Sequence, residues 1–428
     1  MSTISNYYKY SELAFASYSN LSSGMLRKDY IDALKRGFKG MSQKQAEDFA
    51  DNWTVLDQYD GMVEETYYDE FGDEQTFLNP TGLSATIFEN IADGKHYLAV
   101  RGTEITDLND IVADGGILLH GIPDQSTQYQ ALKSKVEQWQ QTGVLSGSFS
   151  VTGHSLGGWL AGGLMVDFAS SVDHAYFYNA PGVFGAAGEL IDLFNQTFGT
   201  DFLALDLAQI SNIWASVGIS PIAGLGESLA PVVGIEIEDH KLGNHFIKYL
   251  TDSLAVYNLF SQIDASLTLS SITSLLETSA NKADHTLESA VSALGKLFAT
   301  GFTPRTGKEY DIKRDDLYTD IDSITNVLGD TSGLSIEVMA TTDSDGEIES
   351  FSPSDIKTRA QSDIAYRYAL VNLNPFAVVG ADYSNFNQNG ELDIFDPATG
   401  EGQLSNMYLA DCIESPFGDD GHRWRHAA

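Results

Sequence analysis

The chain of 428 residues contains a single cysteine, Cys412, which excludes an internal disulfide and any zinc site built on paired thiolates. Basic residues are also scarce, 24 Lys and Arg against 60 Asp and Glu, for a formal net charge of −36. A footprint on phosphates needs clustered cations, so nucleic acid is excluded as a partner. No stretch reaches the roughly 18 apolar residues of a membrane span. Residues 1–21 lack the basic start and continuous apolar run of a secretory signal peptide. Export is therefore expected to use a route without a cleaved N-terminal signal, with the cytoplasm as the other location. The acidity itself has two readings: a soluble surface suited to saline or extracellular conditions, or carboxylate clusters that hold calcium.

What is present is a well-filled core composition, 43% hydrophobic and 11% aromatic. The length accommodates an α/β core of about 200 to 250 residues and a further region. Residues 1–80 read as a helical segment packing on that core, with an acidic hairpin or loop at 64–74. Residues 81–260 alternate between strand and helix. Residues 84–89 and 96–100 read as paired strands, 126–142 as a helix, and 148–151 and 175–178 as strands. Further strands are expected at 210–215 and 232–238, and a helix at 245–259. This spacing predicts an α/β fold with a mostly parallel sheet. Residues 261–428 form a helical and acidic extension.

The segment Val151-Thr152-Gly153-His154-Ser155-Leu156-Gly157-Gly158 specifies chemistry by residue order. It reads as a strand turning sharply into a helix around a serine, with glycines where strand and helix approach. Ser155 is the candidate nucleophile. The helix opening there aims free N–H groups and a positive dipole end at the site, so the Leu156 amide is a candidate oxyanion donor. A serine hydroxyl also needs a base. In the chain order serine, acid, histidine, His245 in Gly243-Asn244-His245-Phe246 is the choice and His240 the rival, while His174 falls at the wrong end of a strand. Thr103, after the strand ending at Arg101-Gly102, is the second oxyanion candidate.

Four elements in order resemble the class 3 lipases, and more closely the catalytic domain of bacterial secreted lipases whose C-terminal parts carry calcium-binding repeats. They are Val100-Arg101-Gly102-Thr103, Gly153-His154-Ser155-Leu156-Gly157, Tyr178-Asn179-Ala180-Pro181-Gly182 and Asn244-His245. The resemblance covers about residues 80–260. It implies an α/β-hydrolase fold and ester hydrolysis through an acyl-enzyme. It also implies Ser155 as nucleophile, His245 as base, and Leu156 and Thr103 around the oxyanion.

Two departures accompany it. Where the family carries its aspartate, this chain reads Trp214-Ala215-Ser216-Val217-Gly218, which leaves Glu227, Glu238 and Asp239 as candidates for the orienting acid. No glycine-rich nonapeptide calcium repeats occur. Asp110 and Asp114 resemble a lid-associated calcium pair, so calcium is an option, and no cofactor is required. Residues 105–125, with Ile117-Leu118-Leu119 among glycines, form a candidate lid or a packed helix. The expected activity is that of an esterase or lipase acting on a small-molecule or lipid ester, transiently at a lipid interface, with no protein partner evident. Phospholipase A1 is the same-chemistry alternative, although the negative charge disfavours anionic phospholipid surfaces. A non-catalytic binding module on a hydrolase scaffold is the alternative of another class.

Overall fold

Strand alternation decides how the sheet is covered, because successive side chains face opposite sides. A computed structural model describes residues 3–37, 39–68, 74–102, 122–181, 207–216, 230–238, 241–279, 286–329, 333–342, 348–350, 353–372 and 374–409. It divides into a sheet unit, Asn6–Ile235 with His240–Thr251, and a second unit, Met1–Ser5, Glu236–Asp239 and Asp252–Ala428.

The sheet unit holds seven strands in sequential order: β1 (Trp53–Tyr68), β2 (Glu74–Asn90), β3 (His96–Arg101), β4 (Phe149–His154), β5 (Val172–Tyr178), β6 (Ile210–Ala215) and β7 (Val232–Ile235). The first three pair antiparallel, and β3 to β7 run parallel. Right-handed crossovers that advance in one direction place their helices on one face. The helices after β3 and β4, α4 (Ile122–Thr142) and α5 (Leu156–Asp167), accordingly share a core with Leu98, Val100, Val151, Ala175 and Phe177. The alternate residues face the other way, onto α1 (Thr3–Ala16). Tyr10 stacks on Tyr176 at 3.7 Å between ring centroids, and Thr152 donates to the Tyr10 carbonyl at 3.1 Å. His154 belongs to this face.

Helical character ends sooner than residue 80. Helices α2 (Arg27–Arg36) and α3 (Gln43–Asn52) follow α1, with Ser42 capping α3 through the Gln45 amide. Trp53 then opens a long strand whose Trp53, Val55 and Tyr59 pair with Asn90, Phe88 and Ala85. Aromatic and β-branched residues that fit a half-buried pleat outweigh the helical neighbourhood here. Strand β7 stops at Ile235, three residues short of the expected end, where the chain passes to the second unit.

The second unit takes up the chain at Asp252, within α6 (Ile247–Ile263). It continues through α7 (Leu269–Ser279), α8 (Thr286–Phe298), α9 (Glu309–Ile312) and α10 (Arg314–Leu328), then α11 (Pro353–Ser362) and α12 (Ile364–Val371). Two short antiparallel pairs accompany them. A core of its own gathers Ile356, Tyr368, Leu370, Leu392 and Leu404. The buried Arg314 guanidinium is satisfied by Asp252, to which Tyr318 also donates.

The elbow tolerates no added methyl. A Cβ on Gly157 would lie 2.2 Å from the Val100 carbonyl oxygen, and one on Gly153 2.3 Å from that of Gly157. Both neighbours are backbone of the sheet or the first helical turn and cannot step aside. Gly157→Ala is expected to destabilise the sheet unit by about 3 kcal/mol or more. Urea unfolding measures it, and a loss within about 0.5 kcal/mol would contradict this packing.

Candidate active site

The residue order of the elbow becomes geometry at Ser155, whose backbone has φ 57° and ψ −131°. A non-glycine residue held there stores about 1–3 kcal/mol. The arrangement is fixed on both sides: the Ser155 amide donates to the Tyr178 carbonyl at 2.9 Å, and Gly158 N–H donates to the Ser155 carbonyl at 3.0 Å. Ser155 occupies the N-cap position of α5, so the Leu156 amide stands in the first turn, where N–H groups lack helical partners. Gly102 packs beside it, since a Cβ there would lie 3.1 Å from Leu156 N. The exit of β3 thus passes the amide at the elbow.

The histidine comes from a different part of the chain. A short 3-10 turn, Lys241–His245, precedes α6 and carries His245. Its Nε2 lies 3.1 Å from Ser155 Oγ, within reach for proton transfer. Two donors converge on its backbone carbonyl. His154 Nε2 reaches it at 2.7 Å and Asn179 Nδ2 at 3.1 Å. A carbonyl only accepts, so His154 carries its proton on Nε2, and its Nδ1 accepts from the Tyr18 hydroxyl at 2.8 Å. Asn179 also donates to the Asn244 carbonyl at 3.1 Å and accepts from the Ala215 amide at 3.0 Å. It does so at φ 45°, a left-handed conformation that asparagine tolerates better than most residues. One side chain thereby ties the ends of β5 and β6 to the histidine turn.

Both histidines are almost completely buried, with Ser155 1% and His245 2% exposed. Desolvation lowers the His154 pKa to about 4 and carries that of His245 well below the ordinary imidazole value, with His154 adding to the latter. A neutral imidazole whose Nε2 faces a hydroxyl can accept its proton.

The structure therefore brings together Ser155, Leu156 and His245. Thr103, His240, Glu227, Asp239, Asp110 and Asp114 lie outside the described residues, as does the candidate lid apart from its last residues, which begin α4. At the end of β6, Trp214-Ala215-Ser216 present no acid, and the Ser216 hydroxyl donates to the Ile235 carbonyl. Glu238 is placed in the second unit. Its carboxyl accepts from the Leu287 amide at 3.0 Å, and burial next to Glu288 raises its pKa strongly. His174 lies within β5, its Nε2 2.9 Å from Ser211 Oγ. Among the described residues no group of three or more His, Cys, Asp or Glu could hold a metal ion. Sequence reasoning missed Tyr18 and the structural parts of His154 and Asn179. Asn179 was visible in the Tyr178-Asn179-Ala180-Pro181 element, whereas nothing in the sequence marked Tyr18.

Fold and site together define an α/β protein with a mostly parallel sheet in which a serine and a histidine meet at a strand-to-helix elbow. Among solved structures the chain is similar to Lip2 lipase from Yarrowia lipolytica, with 18% identity, 56% of this chain and 82% of that one covered, and a TM-score of 0.32. It is also similar to a mutant form of MDLA from Penicillium cyclopium (16%, 56% and 83%, TM-score 0.34). Lipase II from Rhizopus niveus is a third (16%, 51% and 73%, TM-score 0.30). No protein-family model matches the chain, and a comparison with curated proteins finds no match.

Asn179→Ala removes three hydrogen bonds and places alanine at positive φ. The expected loss of stability is about 2–4 kcal/mol, measured by urea unfolding; a loss below about 1 kcal/mol would show that the turn is held by other means. A second expectation concerns pH. The folded pKa of His154 lies below its unfolded value, so the unfolded chain binds the extra proton. The stability tied to it is present above about pH 6.5 and is lost towards about pH 4, at roughly 1.4 kcal/mol per unit. Glu238 acts with the opposite sign, so the readout is the difference between wild type and His154→Gln at pH 7 and pH 5. Parallel pH dependences in the two proteins would contradict a buried neutral His154.

Proposed function

We propose that the chain is a serine carboxylic-ester hydrolase acting through an acyl-serine intermediate. The observation that carries this reading is the 3.1 Å approach of His245 Nε2 to the hydroxyl of a strained, helix-capping Ser155. The choice of an ester rests on the resemblance of the four sequence elements to lipases.

In the proposed cycle Ser155 Oγ attacks the ester carbonyl while His245 Nε2 takes its proton. Negative charge develops on the former carbonyl oxygen, with the Leu156 amide at the start of α5 as the proposed first donor to it and Thr103 as the proposed second. Collapse breaks the bond to the alcohol, which leaves with the proton from His245. Water then loses a proton to His245 and attacks the acyl-serine; collapse breaks the bond between the acyl carbon and Ser155 Oγ, which takes the proton back from His245 as the carboxylic acid leaves. No step calls for a cofactor. The clamp on the His245 carbonyl holds the imidazole against Oγ, so little reorganisation accompanies the transfer. With the dyad closed to solvent, an ester reaches it only when what covers it moves.

Release of p-nitrophenol from esters of graded acyl length tests the proposal. Ser155→Ala and His245→Ala are each expected to lower kcat/KM by about 10⁴-fold or more while the fold persists. Because burial depresses the His245 pKa, the acidic limb of kcat/KM is expected to fall below pH 6.5. Turnover that survives Ser155→Ala, or no turnover by wild type on any ester, would overturn the reading and favour a binding module.

A further inference from the structure

A second feature of the sheet unit stands beside the dyad. An open cavity of about 630 Å³ lies among Tyr18, Asn20, Asp29, Arg36 and Arg101. Its volume is in the range that takes a small organic ligand. Two of the chain's scarce cations converge on it, Arg36 from α2 and Arg101 from the end of β3, against one lining carboxylate, Asp29 of α2. At the rim, Arg36 Nε donates to the Asp32 carbonyl at 3.0 Å, and its guanidinium stands 3.9 Å from the Asp32 carboxylate.

Two of the cavity's wall residues neighbour the elbow. Val100 pairs with Gly153 across parallel strands, so Arg101 and His154 are the next residues on neighbouring strands, about 5 Å apart. Ser155 is one peptide unit beyond His154. Tyr18, a wall of the cavity, donates its hydroxyl to His154. The root of Arg101 therefore lies within the span of a small ester bound at Ser155.

Resting on the ester-hydrolase reading, we propose that this cavity receives the anionic end of the substrate, and that the substrate class is a monomeric acyl ester bearing a phosphate-like oxyanion. Guanidinium groups match such oxyanions in charge and in the geometry of their paired donors. The net charge of −36 sets the scale on which this works. Screening over about 8 Å at physiological ionic strength confines attraction to the cavity, so a single anion inside it meets Arg36 and Arg101. An extended anionic bilayer meets the acidic exterior instead and is repelled. Cavity and surface together select a dispersed anionic ester over an anionic membrane.

The test compares a short-chain monoacylglycerol with its glycerol-phosphate counterpart of the same acyl chain, both below their aggregation concentrations, with the full chain. The readout is the ratio of kcat/KM for the anionic ester to that for the neutral one, in which general effects on the dyad cancel. Wild type is expected to favour the anionic ester. Arg101→Gln lowers the ratio by about tenfold, Arg36→Gln lowers it by less, and Asp29→Asn raises it. Added salt brings the ratio towards one, and anionic phospholipid vesicles react more slowly than the dispersed ester. An unchanged ratio in all three variants, or a preference for the vesicles, overturns the proposal. Calorimetric titration with glycerol phosphate separates the two readings if wild type hydrolyses neither ester. Binding that is lost in Arg101→Gln sustains the site while removing the hydrolase, and absence of binding removes the site as well.

Discussion

The backbone carbonyl of His245 is the point on which the site depends. Two neutral donors from the ends of two strands, His154 on β4 and Asn179 after β5, converge on that one oxygen. A histidine on a turn 90 residues from the serine is otherwise free to swing, and a side chain alone costs rotamer entropy to hold. Fixing its main chain to the sheet leaves only the ring to orient. The donors are uncharged because the site is dry: burial drives both imidazoles to their neutral forms, and a neutral Nε2–H suits a carbonyl without a counter-ion. The tautomer of His154 follows from the same bond, and the Tyr18 hydroxyl completes it from the opposite nitrogen.

That chain of contacts gives the N-terminal segment a chemical part in the site. Helix α1 covers the sheet face opposite α4 and α5 through Tyr7, Tyr10 and their partners, and the residues just after it deliver Tyr18 to His154. The same residues wall the cavity that holds Arg36 and Arg101. In a chain so rich in carboxylates, two guanidiniums line that one concavity together with Asp29, and Arg36 stands against Asp32. Acidic residues elsewhere have structural work, as where Asp252 neutralises the buried Arg314 or where the Glu238 carboxyl accepts from the Leu287 amide.

The parallel strands and the elbow were legible because their signals are local. Period-two burial, the run of small residues after Ser155 and the spacing of strands and helices all lie within short windows, and β6 matches its expected bounds. The long hairpin β1–β2 was not legible in full, because a strand beginning directly after a helix depends on a partner more than thirty residues away, as in the pairing of Trp53 with Asn90. Of the site, Ser155 and His245 were named by motif and order. The contributions of Tyr18 and Asn179 escaped, since a hydroxyl and an amide acquire a role only from what they face.

The sequence by itself determined the strand-to-helix elbow at Ser155, since glycine at 153 and 157 is what the approach of strand to helix sterically requires. It also determined the net charge and with it the classes of partner that electrostatics disfavours. Tertiary structure alone decided which nitrogen of His245 faces the Ser155 hydroxyl and that the Glu238 carboxyl is buried beside Glu288. The physical reason is that protonation state and hydrogen-bond direction are set by burial and by partners distant in the chain. No residue order specifies either until the strands have been brought side by side.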